Sequence, residues 1–186
     1  MNVVHRRYCR SARWRHHLDD LLPWALEDVS LGPDSRVIEL GSGPGQTTDW
    51  LRGRVGHLTA VERDEHDAAD LAARRADVQV VHADARDVPL PSGSFDAVLC
   101  FTMLHHLPSV AAQDQLMVEA ARLLEAGGVF AGSDSRWGPL FALAHVRDTM
   151  TLVVPGQLPA RLVAAGLQDP VVEWRRDALR FRAVRP

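Results

Sequence analysis

Three acidic residues stand at matching points of an alternating apolar pattern: Glu39 in VIEL, Glu62 in TAVERD and Asp84 in VVHADA. Directly after Glu39 come Gly41, Gly43 and Gly45, in the spacing E-x-G-x-G-x-G. Glycines let the backbone approach a ligand closely and take angles that a Cβ would forbid, so this turn can grip a nucleotide-like molecule. The spacing decides which. A dinucleotide fingerprint needs a third glycine at position 46, where Gln46 stands, and a P-loop needs a lysine, of which the chain has none. Both phosphate-binding readings lose ground. A second group with chemical potential is the pair His105–His106, which follows the apolar run FDAVLCF and could act as a general base.

These residues need a scaffold that brings distant points of the chain together. Residues 11–28 have helical spacing of apolar side chains, with Pro23 as a kink, and residues 31–34 form a turn. Strands are expected at 37–40, 57–62, 78–82, 95–101 and 129–133. The intervening helices are 46–54, 65–75 and 111–125, the last ended by Gly127 and Gly128. A helix over 157–165, stopped by Gly166, and two strands at 170–175 and 179–184 complete the order. This alternation predicts an α/β fold: a Rossmann-like, doubly wound, mostly parallel seven-stranded sheet with helices on both faces and an antiparallel last strand. In such a sheet ligands collect beyond the carboxyl ends of the strands, which is where the acids and the glycine turn would sit.

The ordered motifs make the reading more specific. E-x-G-x-G-x-G, TAVERD, HADARDVPLPSGSFDAVLCFTMLHHL and ARLLEAGGVFAGSD resemble, in order and spacing, the motifs of class I S-adenosylmethionine-dependent methyltransferases. The branch they resemble is the ubiquinone/menaquinone-biosynthesis-like one (methyltransferase type 11), over roughly residues 36–134. The resemblance implies S-adenosyl-L-methionine as cofactor, with Glu62 on the ribose hydroxyls, Asp84 on the adenine amino group, Ala85 beside it and Glu39 near the methionine tail. The implied cofactor set is Glu39, Gly41, Ser42, Gly43, Gly45, Glu62, Arg63, Asp84, Ala85, Cys100 and Phe101. It does not fix the base. His105, His106 and His145 are the catalytic candidates; Tyr8 is placed to close over the ligand, and a stripe through Trp137, Leu140, Phe141, Leu143 and Ala144 to line an acceptor pocket.

Composition limits the rest. At 186 residues one methyltransferase domain is expected: an N-terminal helical cap (1–30), the cofactor core (35–134), an acceptor-side insert (135–156) and a C-terminal helix with two strands (157–186). No apolar run is long enough to span a membrane, the N-terminus lacks the apolar core of a secretory signal, and the two cysteines have no metal-ligand spacing. A reduced, cytoplasmic protein is expected. Cys100-Phe101-Thr102-Met103 stands where enzymes acting on base or amide nitrogens carry Asn/Asp-Pro-Pro-aromatic, and no acid ends this strand as magnesium-dependent catechol enzymes require. A metal-free enzyme for a small-molecule acceptor, monomeric or homodimeric, is the expectation. Two rivals stay open: a cyclase-like enzyme that binds the same cofactor without transferring its methyl, and an RNA methyltransferase suggested by the arginine-rich ends.

Overall fold

The computed structural model describes residues 7–136, 138, 149–175 and 177–186. Helix α1 (Ala12–Ala25) leads into β1 (Arg36–Leu40), α2 (Gln46–Leu51), β2 (His57–Glu62), α3 (Glu65–Arg74) and β3 (Gln79–His82). Then come β4 (Phe95–Phe101), a 3-10 turn (Leu104–His106), α4 (Val110–Leu123) and β5 (Leu124–Ser135). A second 3-10 turn (Pro155–Gln157) runs into α5 (Leu158–Ala164), followed by β6 (Gln168–Trp174) and β7 (Ala178–Val184). The sheet order is β3-β2-β1-β4-β5-β7-β6. Strands β1 to β5 pair in parallel, and β7 runs antiparallel between β5 and β6. The winding reverses between β1 and β4, so the crevice beyond their carboxyl ends is the switch point of the fold.

Period-two alternation divides the side chains of the central strands between two cores. On one face Val37, Ala60, Ala97, Leu99 and Ala131 pack with Leu18, Leu21 and Leu22 of α1, Leu51 of α2 and Leu71 of α3. On the other, Ile38, Leu40, Val98, Phe130 and Phe181 pack with Leu116 and Met117 of α4 and Leu158 and Leu162 of α5. The helical spacing expected for α1 is the one that packs: Leu18, Leu21, Leu22 and Ala25 are all buried.

Some boundaries differ from the sequence reading. Helix α1 stops at Ala25 rather than 28, with Pro23 inside its last turn, where the missing N–H removes one bond of the ladder. Helix α4 stops at Leu123 rather than 125, and Gly127 and Gly128 lie within β5. Sheet pairing wins there: Ser94 donates to the Leu123 carbonyl, Gly127 to the Arg185 carbonyl, and Arg185 to the Gly128 carbonyl. The start of α4 is held by Ser109, whose hydroxyl accepts the Ala112 N–H at 3.1 Å. Ser109→Ala is expected to cost about 1 kcal/mol in urea unfolding, the usual value of a lost N-cap.

Candidate cofactor and acceptor site

The glycine turn is left-handed at all three glycines: φ is 78° at Gly41, 53° at Gly43 and 84° at Gly45. Packing explains two of them. A Cβ on Gly41 would lie 2.4 Å from Met103 Cγ, and one on Gly45 2.5 Å from Leu71 Cδ1. Gly43 instead faces open space, with nothing within 4 Å of where its Cβ would be. That is the point at which a ligand can meet the backbone.

Glu62 closes the turn from the end of β2. Its Oε2 accepts the Gly43 N–H at 2.7 Å and its Oε1 the Asp64 N–H at 2.7 Å. A carboxylate has about four acceptor positions, so each oxygen keeps one for a further donor. Two vicinal hydroxyls match that vacancy. Arg63 is exposed beside it, its carbonyl held by His82 Nε2 at 3.0 Å.

Glu39, which the resemblance sets near the methionine tail, is enclosed near the end of β1 by the helix that follows it. It is 1% exposed, and both oxygens are taken by hydroxyls of α2: Oε1 by Thr47 and Oε2 by Thr48 at 2.5 Å. Burial pushes its carboxyl up to about 7, the threonine bonds oppose the rise, and the nearby charges of Glu62 and Asp49 add to it. A carboxyl raised in the folded state favours folding below its unfolded value of 4.5, and that contribution is lost as pH rises through about 7. The shift corresponds to about 3 kcal/mol. Glu39→Gln is therefore expected to flatten the fall in unfolding free energy between pH 4.5 and about 7, read as the difference between the two proteins' urea curves. A difference that does not change with pH would contradict this placement.

Asp84 follows β3. Its Oδ1 accepts from Arg86 N at 3.0 Å and Arg86 Nε at 2.9 Å, and its Oδ2 from Arg86 Nη2 at 2.7 Å. Ala85 beside it is buried. Phe101 and Cys100 end β4 and are buried on opposite faces, and burial holds the Cys100 thiol well above its ordinary value. Immediately beyond, Thr102 takes φ 48° and donates its N–H to the Ser133 carbonyl at 2.7 Å. A β-branched residue in this region is strained by about 1–3 kcal/mol, and such strain clusters where a fold builds its site.

The two histidines part company. His105 is 2% exposed and its Nδ1 lies 2.5 Å from Oδ1 of Asp134, which is 0% exposed on β5. Asp134 Oδ2 also accepts the His105 N–H at 3.1 Å. Gln113 of α4 braces the turn, donating from Nε2 to the carbonyls of Leu104 and Thr151 at 3.0 and 2.8 Å. His106 is half-buried, its ring centroid 4.1 Å from that of His105. His145 and the stripe at Trp137, Leu140, Phe141, Leu143 and Ala144 lie outside the described residues. Tyr8 is exposed and stacks near Trp14 at 5.6 Å. Its segment is pinned to α3 by Arg10, whose Nη2 is 2.6 Å from Asp67 Oδ1.

Sequence reasoning missed Asp134, Gln113, Arg86, Thr47, Thr48 and Gln46. The Ser42 hydroxyl and Gln46 Oε1 are buried in and beside the glycine turn without a hydrogen-bond partner. With the open face of Gly43 and the spare acceptors of Glu62, these orphaned atoms fit a ligand rich in ammonium and hydroxyl donors. Among the described residues, one group has metal-ligand geometry, Asp64, His66 and Asp67 at the start of α3, where Asp67 is already paired with Arg10. No helix among the described residues is long and apolar enough to cross a membrane.

Comparison with known proteins gives the family and the fold. The family described as “Methyltransferase domain” (Methyltransf_11) matches residues 38–132, about half the chain. The fatty-acid O-methyltransferase of Mycolicibacterium smegmatis is 34% identical over 105 residues, 54% of this chain and 37% of that protein. The sarcosine/dimethylglycine N-methyltransferase of Halorhodospira halochloris is 33% identical over 111 residues, 56% of this chain and 39% of that one. The ubiquinone biosynthesis O-methyltransferase of Xanthomonas oryzae pv. oryzae is 32% identical over 158 residues, covering 80% and 62%. The chain thus spans less than two thirds of the length of these relatives. Among solved structures, Haemonchus contortus phosphoethanolamine N-methyltransferase 2 with S-adenosyl-L-methionine superposes with TM-score 0.75 at 15% identity, covering 92% of this chain and 52% of that one. The [4+2]-cyclase SpnF gives TM-score 0.76 at 17% identity, covering 95% and 83%. Fold, glycine turn and family match converge: the chain belongs to the class I S-adenosylmethionine-dependent methyltransferases, in the methyltransferase type 11 family.

Proposed function

We propose that this protein transfers the methyl group of S-adenosylmethionine to an oxygen, nitrogen or carbon of a small-molecule acceptor, without a metal ion, as a cytoplasmic monomer or homodimer. The observation that carries the reading is Glu62. Each of its oxygens is fixed by one backbone N–H and keeps one acceptor position, the arrangement that two ribose hydroxyls require. When bound, the cofactor supplies a methyl group made electrophilic by its sulfonium, and the chain supplies position. Gly43 gives the methionine end access to the backbone, Asp84 and Ala85 take the adenine, and Phe101, Thr102 and Met103 form the wall at the end of β4.

The acceptor side lies at the 3-10 turn. Asp134 and Gln113 fix His105, and His105 in turn supports the more exposed His106. His106 is then the residue able to hold the acceptor's proton, with His105 as a positioning residue. The arginine-rich C-terminus does not favour RNA as acceptor. Arg175 pairs with Asp20, and Arg180 with Glu27, Asp28 and Glu173, so their charge is spent within the chain.

Incubation with methyl-labelled cofactor and a panel of phenols, quinols, amines and carboxylic acids, with and without EDTA, tests this reading. Label is expected in at least one small acceptor, equally in both conditions. Label entering only RNA, or only when a divalent ion is added, would overturn it.

A further inference from the structure

Asp84 is held by more than its place in the fold. Arg86, two residues on, grips it with Nε on Oδ1 at 2.9 Å and Nη2 on Oδ2 at 2.7 Å, while the Arg86 N–H also donates to Oδ1 at 3.0 Å. Three of about four acceptor positions are therefore filled, and the one left belongs to Oδ2. The backbone beneath is fixed as well, because Asp87 donates its N–H to the Asp84 carbonyl at 3.0 Å. Both side chains are about a third exposed, and surface pairs of this kind add little to stability. The planar fork of an arginine does something else: it sets the direction of a carboxylate's remaining lone pair.

We propose that Arg86 is a specificity-determining residue, which locks Asp84 so that its single remaining acceptor meets a purine 6-amino group and rejects a 6-oxo group. The inference rests on the assignment of Asp84 to the adenine edge. An ionised carboxylate only accepts, so it bonds an amino group and repels a carbonyl oxygen in the same place. A carboxylate free to turn would escape that repulsion by swinging toward the N1–H that a 6-oxo purine carries. The bidentate grip forbids the swing. The Arg86 guanidinium also holds the Asp84 carboxyl below its usual range, with burial opposing, so Asp84 stays an acceptor.

The test compares S-adenosylhomocysteine with S-inosylhomocysteine, its 6-oxo analogue, by calorimetric titration of the full chain, Arg86→Gln, Arg86→Lys and Asp84→Asn. The parent protein is expected to prefer the amino ligand by roughly 100-fold, the range of a charge-assisted bond exchanged for a repulsion. Arg86→Gln is expected to cut that ratio about tenfold, and Arg86→Lys, which keeps the charge without the fork, to fall between them. Far-UV circular dichroism reports whether each variant is folded. If Asp84→Asn removes the preference but neither Arg86 variant changes it, Arg86 is only a surface partner and the proposal falls. If Asp84→Asn also leaves the preference intact, the adenine assignment of Asp84 is what fails.

Discussion

Asp134→Ala is expected to lower the unfolding free energy by about 3–5 kcal/mol, the usual cost of stripping one partner from a buried, hydrogen-bonded pair. Asp134 and His105 are enclosed between β5 and the turn after β4. The carboxylate serves three donors there: His105 Nδ1 at 2.5 Å, the His105 N–H at 3.1 Å and the Ser135 N–H at 2.6 Å. With a carboxylate as acceptor, the imidazole proton must sit on Nδ1, which fixes the tautomer and the ring plane. Removing Asp134 leaves those donors without their acceptor in a layer closed to water. A double-mutant cycle with His105→Ala, read by urea unfolding, separates the pair from the packing around it. The double variant is expected to cost little more than Asp134→Ala alone. Strictly additive costs would mean that the two side chains do not depend on each other.

Glu62→Ala is expected to weaken S-adenosylhomocysteine binding by roughly 10²–10⁴-fold. Two hydroxyls each lose a bond to a charged acceptor, at about 1.5–3 kcal/mol apiece. The turn loses its tie as well, since Gly43 and Asp64 no longer find their acceptor at the end of β2. Glu62→Gln is instructive beside it: an amide offers one oxygen where two are needed, so its –NH2 must face a backbone N–H or a ribose hydroxyl. It is expected to recover only part of the affinity. A folded Glu62→Ala protein that binds within threefold of the parent would remove Glu62 from the site.

How far the sequence could be read depended on whether a feature is local. Strands β2 and β4 match their expected bounds residue for residue, because the stretch that a central parallel strand buries on both faces, 58–61 and 97–101, is apolar but for Thr59. The glycine turn was legible for the same reason, since its requirement for left-handed backbone is written in the residues themselves. The end of α4 was not, because Leu124 and its neighbours are claimed by β4 and β7, elements distant in sequence. His105 could be nominated from its place after β4, yet its partner lies 29 residues away and is brought in only by the β4–β5 register. Glu39 shows the same limit: the motif names the acid, while the hydroxyls of Thr47 and Thr48 that enclose both its oxygens are set by the packing of α2 on β1. The grip of Arg86 on Asp84 is local, since the fork of an arginine two residues on reaches both carboxylate oxygens.

Titration calorimetry of the purified chain with S-adenosylmethionine, S-adenosylhomocysteine and NAD tests the central claim most directly. One molecule of either of the first two is expected to bind per chain, with NAD giving no heat, because the turn offers Gln46 where a dinucleotide's third glycine would stand. Binding of NAD with silence from the other two would contradict the account from the glycine turn outward.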